Sequence, residues 1–184
     1  MKPNEVLQFV ALIDERLERA HIPYMMTGSV ALAFYSVPRM TRDVDIVIEC
    51  DLKSLDVLVA LFSTDCYIDR GEAEIALREH SMFNIIHNEW LIKADLIPRK
   101  EGDFRLSEFS RRRRVTLDDT TAWVVAPEDL ILSKLDWSRD SRSEMQRRDI
   151  EALIRKVRGL DWAYMEKWAT ALGVRQALEQ ARQA

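Results

Sequence analysis

Asp43-Val44-Asp45-Ile46-Val47-Ile48-Glu49 is β-branched and partly alternating, which predicts a strand. Alternate residues of a strand point to the same face, so Asp43 and Asp45 stand side by side. Two neighbouring carboxylates repel each other, and burying them is costly. A divalent cation removes that cost, and Mg²⁺ takes hard oxygen ligands from carboxylates and substrate phosphates. A solvated strand edge carries the same Asp-x-Asp pattern, so the residues around it must decide between the two.

Upstream, Tyr24-Met25-Met26 reads as a short apolar strand, Thr27-Gly28-Ser29 as a turn, and Val30 to Tyr35 as a buried helix ended by Pro38. Gly28 lets the backbone approach a ligand closely. The helix N-terminus offers free N–H groups to phosphate oxygens, and Ser29 adds a hydroxyl donor. Downstream, Asp95 is an acid embedded in the apolar run Trp90-Leu91-Ile92-Lys93-Ala94-Asp95-Leu96-Ile97. Such an acid faces solvent or has a charged partner. If its strand lies beside the Asp43 strand, three carboxylates converge. Three carboxylates with two metal ions form the arrangement that activates a hydroxyl and steadies a leaving phosphate.

Helical spacing predicts a first helix from Asn4 to about Ala20. Helices are also expected at 51–62 and 73–79, with a weak strand at 67–68. Segments 81–87 and 90–97 read as a hairpin turning at His87-Asn88-Glu89, and 111–117 and 121–125 as two further strands. Pro127-Glu128-Asp129 opens a helix, with proline in the first turn and acids at the positive dipole end. Helical patterns then run over about 127–138, 143–157, 161–171 and 173–182. The expectation is an α+β domain over 1–126 followed by a helical region over 127–184.

The 184 residues carry a net charge of −4, which argues against wholesale coating of nucleic acid. Arg111 to Arg114 form a run that reads as a solvated strand entry, as ion pairs with Glu108, Asp118 and Asp119, or as a contact to RNA or triphosphate. Cys50 and Cys66 lack metal-ligand spacing and read as reduced buried thiols. His21, His80 and His87 are scattered, and the five tryptophans sit where core or helix packing would place them rather than as base-stacking platforms. The first residues hold acids and no apolar core of signal length, and no stretch is long enough to span a membrane, which predicts a cytoplasmic protein.

Together, Gly28-Ser29 opening a helix, Asp43 and Asp45 on a strand, and Asp95 on a later strand resemble the nucleotidyltransferase superfamily, whose fold is shared with DNA polymerase beta. The resemblance implies an α+β fold with a mixed sheet flanked by helices and followed by a helical bundle. Arg39-Met40-Thr41-Arg42-Asp43-Val44-Asp45 is similar to the Arg-x-Thr-x-Asp-x-Asp form of the bacterial group related to AbiEii toxins. In that group a later helix carries an essential lysine and the next helix an aspartate; Lys134 and Asp149 match them here.

The resemblance implies an enzyme that moves a nucleoside monophosphate from a nucleoside triphosphate to a hydroxyl, with two Mg²⁺ ions. Asp43 and Asp45 would hold metal, and Asp95 would share a metal and help deprotonate the acceptor. Gly28 and Ser29 would cradle the triphosphate, with Lys134 as a phosphate contact. Arg39 and Thr41 either touch phosphate or hold the loop. Asp149 is either catalytic or an ion-pair partner of Arg147 or Arg148. The toxin likeness points to tRNA or another cellular acceptor and to an antitoxin partner. Two alternatives stay open: an adenylyltransferase acting on an aminoglycoside, and a nucleotide-binding module without turnover.

Overall fold

The computed structural model describes residues 3–36, 43–139 and 143–183; Arg39 and Thr41 lie outside them. In chain order the elements are α1 (Pro3–Arg19), β1 (Tyr24–Thr27), α2 (Gly28–Tyr35), β2 (Asp43–Ile48), α3 (Leu55–Phe62), β3 (Cys66–Ile68), α4 (Arg70–Glu79) and β4 (Phe83–His87). There follow β5 (Lys93–Pro98), α5 (Asp103–Ser110), β6 (Arg113–Leu117), β7 (Thr120–Val124), α6 (Pro127–Ser138), α7 (Glu144–Lys156), α8 (Trp162–Ala171) and α9 (Arg175–Gln183).

The strands form one mixed seven-stranded sheet in the order β3-β4-β5-β2-β1-β7-β6. β2 lies antiparallel to β1 and parallel to β5. Alternation along β2 sends Val44, Ile46 and Ile48 to one face, where all three are fully buried. Ala94 and Leu96 of β5 lie beside Val44 and Ile46 in register and are equally buried. α1 covers this face. Its Phe9 ring stands edge-on to the His87 ring, with centroids 5.5 Å apart, and its Asp14 accepts a hydrogen bond from the Tyr24 hydroxyl. Each such aliphatic side chain contributes about 1.5–3 kcal/mol of burial, so this layer fixes the register. A slip of one residue would turn Asp43 and Asp45 into the core.

β5 starts three residues later than the sequence suggests. The turn before it is built on His87, whose ring accepts the backbone N–H groups of Glu89 and Trp90 and stacks on the Trp90 indole at 3.9 Å. Leu91 then takes a positive φ of 52°, which ends any extended run through this point. α5 has no counterpart in the periodicity reading. It is short, and its buried residues are Phe104, Glu108 and Phe109, a set with a charge in the middle. Long-range partners hold it: Ser133 of α6 donates to Glu108 at 2.5 Å, and Arg105 reaches Glu108 at 2.9 Å and Asp136 at 3.1 Å.

The arginine run is held by ion pairs and ring contacts, with Arg111 and Arg112 half-buried and Arg113 and Arg114 exposed, and its partners are not Asp118, Asp119 or Glu108. Arg111 binds Asp129 at 3.0 Å and Glu128 at 3.2 Å and lies 3.8 Å above the centre of the Tyr164 ring. Arg113 reaches Glu128 at 3.3 Å, and Arg114 binds Asp14 of α1 at 2.8 Å. Arg112 lies over the Phe109 and Trp123 rings. Asp129 and Glu128 are buried, and burial raises the Asp129 carboxyl above its usual range. The run therefore joins β6 to α1, α6 and α8. Cys50 and Cys66 are free, and burial pushes their thiols up to about 11 and about 12. Among the described residues no helix is long and apolar enough to cross a membrane.

Candidate active site

The other face of β2 and β5 carries Asp43, Asp45 and Val47 beside Lys93, Asp95 and Ile97, in direct register. Thr27, the last residue of β1, pairs with Asp45 from the opposite side. Thr27, Asp45 and Asp95 thus form one row across three strands, with Asp43 one step nearer the strand ends. Asp43 is exposed, Asp45 half-buried and Asp95 buried.

Gly28 follows Thr27 at once and starts α2 with a φ of +62°. A Cβ there would stand 2.0 Å from Oδ2 of Asp45 and 2.7 Å from its Cγ. Only glycine fits both the backbone and the space. The missing side chain lets the first amides of α2 come down onto the Asp45 carboxylate, which accepts a hydrogen bond from the Ser29 backbone N–H. Replacing Gly28 with alanine is expected to lower stability by about 2 kcal/mol from the left-handed backbone and the clash. Urea denaturation measures it. The displaced Asp45 should cost nucleotide binding as well.

Burial, then the neighbouring Asp95 and Asp43, raise the Asp45 carboxyl above its ordinary range; the Ser29 amide and the more distant Lys134 charge oppose this. Lys93, which the sequence reading passed over, is the counter-charge on this face. Its Nζ lies 2.9 Å from Asp95 and 3.6 Å from Asp43. The hydrogen bond to Asp95 raises the Lys93 ammonium above its usual value. The signal was present in the sequence, since Lys93 is two residues before Asp95 on the same strand face.

Lys134 and Asp149 are brought together. Both are buried, and Nζ of Lys134 lies 2.9 Å from Asp149 and 2.9 Å from the Gln146 side-chain oxygen. Asp149 therefore pairs with Lys134 and not with its neighbours. Arg147 binds Glu151 at 2.8 Å, and Arg148 reaches Glu144 at 3.5 Å. α7 runs alongside α6, and at this point Asp149 comes from its buried side.

Among the described residues no three His, Cys, Asp or Glu groups stand as a preformed metal cage. Lys93 spans Asp43 and Asp95 instead. The donor set still fits Mg²⁺. Oδ1 of Asp95 is buried and has no hydrogen-bond partner, and Asp45 faces Asp95 across the strand pair. Hard, anionic, under-coordinated oxygens are what that ion takes.

No protein-family model matches the chain, and no curated protein matches its sequence. Solved structures do share its architecture. An antigenic nucleotidyltransferase-like protein from Paracoccidioides brasiliensis superposes with a TM-score of 0.59 at 18% identity, over 100% of this chain and 94% of that one. The antibiotic-resistance factor ANT(2″)-Ia gives a TM-score of 0.62 at 11% identity, over 99% and 98%. The lincosamide antibiotic adenylyltransferase LnuA, bound to lincomycin, gives 0.50 at 15% identity, over 85% and 99%. The chain has the nucleotidyltransferase fold, with a mixed sheet flanked by helices.

Proposed function

We propose that the chain is a Mg²⁺-dependent nucleotidyltransferase that moves a nucleoside monophosphate from a nucleoside triphosphate to a hydroxyl acceptor. The observation that carries this reading is the row Thr27, Asp45 and Asp95 with the α2 N-terminus pressed onto it through Gly28. Phosphate oxygens would meet the N-terminal amides of α2 and the Ser29 hydroxyl. Asp43, Asp45 and Asp95 would hold the metal, which supplies positive charge to the phosphates and the attacking oxygen. The acceptor oxygen attacks the α-phosphorus as its proton passes to Asp95. The bond from that phosphorus to the bridging oxygen breaks, and pyrophosphate leaves with the electron pair. Lys134, held by Asp149, adds charge from the α6 side. In this reading 1–126 is the catalytic domain and 127–184 the helical region that supplies Lys134.

The likeness of Arg39 to Asp45 to the AbiEii-related group supports a cytoplasmic toxin-like enzyme with tRNA or another cellular target and an antitoxin partner. A drug-modifying adenylyltransferase is the second reading, favoured by the near-complete overlap with ANT(2″)-Ia. The test is incubation with each labelled nucleoside triphosphate, Mg²⁺ and total RNA or lysate, in parallel with aminoglycosides. A labelled product that vanishes in Asp43→Ala is expected. Full activity in that variant overturns the mechanism, and nucleotide binding without pyrophosphate release favours a module without turnover.

A further inference from the structure

Beside the acid row lies a cavity of about 250 Å³ whose lining includes Val47, Ile97, Met82 and Trp137. Val47 and Ile97 follow Asp45 and Asp95 by two residues on the same sheet face and pair in register, about 7 Å further along the strands. We infer that this cavity seats the acceptor, and that it selects a single flat or apolar ring joined to an anionic group rather than a polycation. The inference rests on the transfer reading above and adds the substrate class.

The side of approach follows from the sheet order. The α2 amides that would hold the triphosphate sit at the β1 end of the row, and Asp95 is the acid farthest from them. In-line displacement puts the entering oxygen opposite the leaving pyrophosphate. The cavity runs from Thr27 of β1 to Ile97 of β5, and the acceptor enters at its β5 end, where Ile97 and Met82 line it together with Arg99 and Lys100.

The chemistry of the lining sets the preference. Met82 and Trp137 are 55% and 47% exposed, an unusual exposure for large apolar side chains that share a concave site with Val47 and Ile97. Trp137 thereby departs from the packing role expected of the tryptophans. Among the charged groups of the lining, Arg99, Lys100 and Arg105 are cationic, and Glu108 is the single carboxylate among the described residues. Glu108 offers no attraction to a cation, because Arg105 and Ser133 take its two oxygens and it is buried. Arg99 and Arg105 are balanced by Glu49 and by Glu108 and Asp136, while Lys100 is exposed at the rim. A polycation would lose its hydration and gain no carboxylate here. The volume also suits one ring system better than a multi-ring antibiotic.

The test is isothermal titration calorimetry of the full chain with Mg²⁺ and a non-hydrolysable nucleoside triphosphate already bound. The titrants are pyridoxine 5′-phosphate, a single ring bearing hydroxyls and a phosphate, and the polycation tobramycin. Pyridoxine phosphate is expected to bind more tightly than tobramycin. Trp137→Ala and Lys100→Glu, both at exposed positions, should each weaken its binding about tenfold or more. Tighter binding of tobramycin, no binding of pyridoxine phosphate, or variants that bind as the wild type each overturn the inference. The nucleoside triphosphate is titrated first. If it fails to bind, or binds equally to Asp45→Asn, the transfer reading fails on its own measurement. If it binds and the acceptor titration fails, only the acceptor assignment falls.

Discussion

Asp45→Asn is expected to reduce nucleotidyl transfer by about 10³-fold or more, since loss of one anionic ligand at a phosphoryl-transfer centre removes several kcal/mol of transition-state stabilisation. The same variant should be more stable than the wild type when divalent ions are removed with EDTA. Burial, Asp95 and Asp43 raise the Asp45 carboxyl in the folded chain, so its ionised form favours unfolding. The wild type therefore keeps this contribution at acid pH, below the ordinary carboxylate range, and loses it as pH rises through the raised value. Asparagine has no such loss. The difference in melting temperature should be small in acid and grow toward neutral pH, with the variant the more stable. Adding Mg²⁺ should stabilise the wild type by mass action and leave the variant nearly unchanged. Thermal melts across pH, with and without Mg²⁺, measure both effects. A variant that is less stable than the wild type in EDTA at neutral pH contradicts this account of Asp45.

Lys134→Ala is expected to cost about 3–5 kcal/mol, the usual penalty for leaving one partner of a buried ion pair uncompensated. Lys134 is 2% exposed and Asp149 6%, so water cannot take the place of the lost ammonium without opening the α6–α7 contact. The double variant Lys134→Met with Asp149→Leu should recover most of that stability, because apolar groups of similar size remove both buried charges. Its transfer activity should stay low, because the positive charge proposed to meet the phosphates is gone. Urea denaturation of the three proteins separates the two roles. If the double variant regains activity together with stability, Lys134 serves only the fold.

Local pattern carried much of this protein. The alternation of Asp43 to Ile48 puts acids on one face and aliphatic residues on the other, and α2 begins at Gly28, two residues before the Val30 start that the apolar pattern predicts. The helix opened by Pro127 ends at Ser138, where the helical pattern ends. The pattern failed where distant partners hold the chain. α5 is fastened by Ser133 and Asp136 of α6, and Arg111 by Glu128 and Asp129. Neither pairing leaves a periodicity in its own segment. The start of β5 moved because a buried histidine ring organises the turn before it.

Sequence alone determined which residues could be chemical here: Gly28, Asp43, Asp45 and Asp95 each follow from residue type and the period of the element that carries it. Their company was decided by the tertiary structure. Register between β1, β2 and β5 put Thr27, Asp45 and Asp95 in one row, and packing of α7 on α6 gave Lys134 to Asp149 rather than to solvent. Lys93 reached Asp43 as well as its strand neighbour Asp95 because parallel pairing set it beside Asp43. The reason is one of range. Propensity and periodicity act over a few residues, whereas a carboxylate's partner is fixed by burial of the whole sheet, which the chain settles only when it is folded.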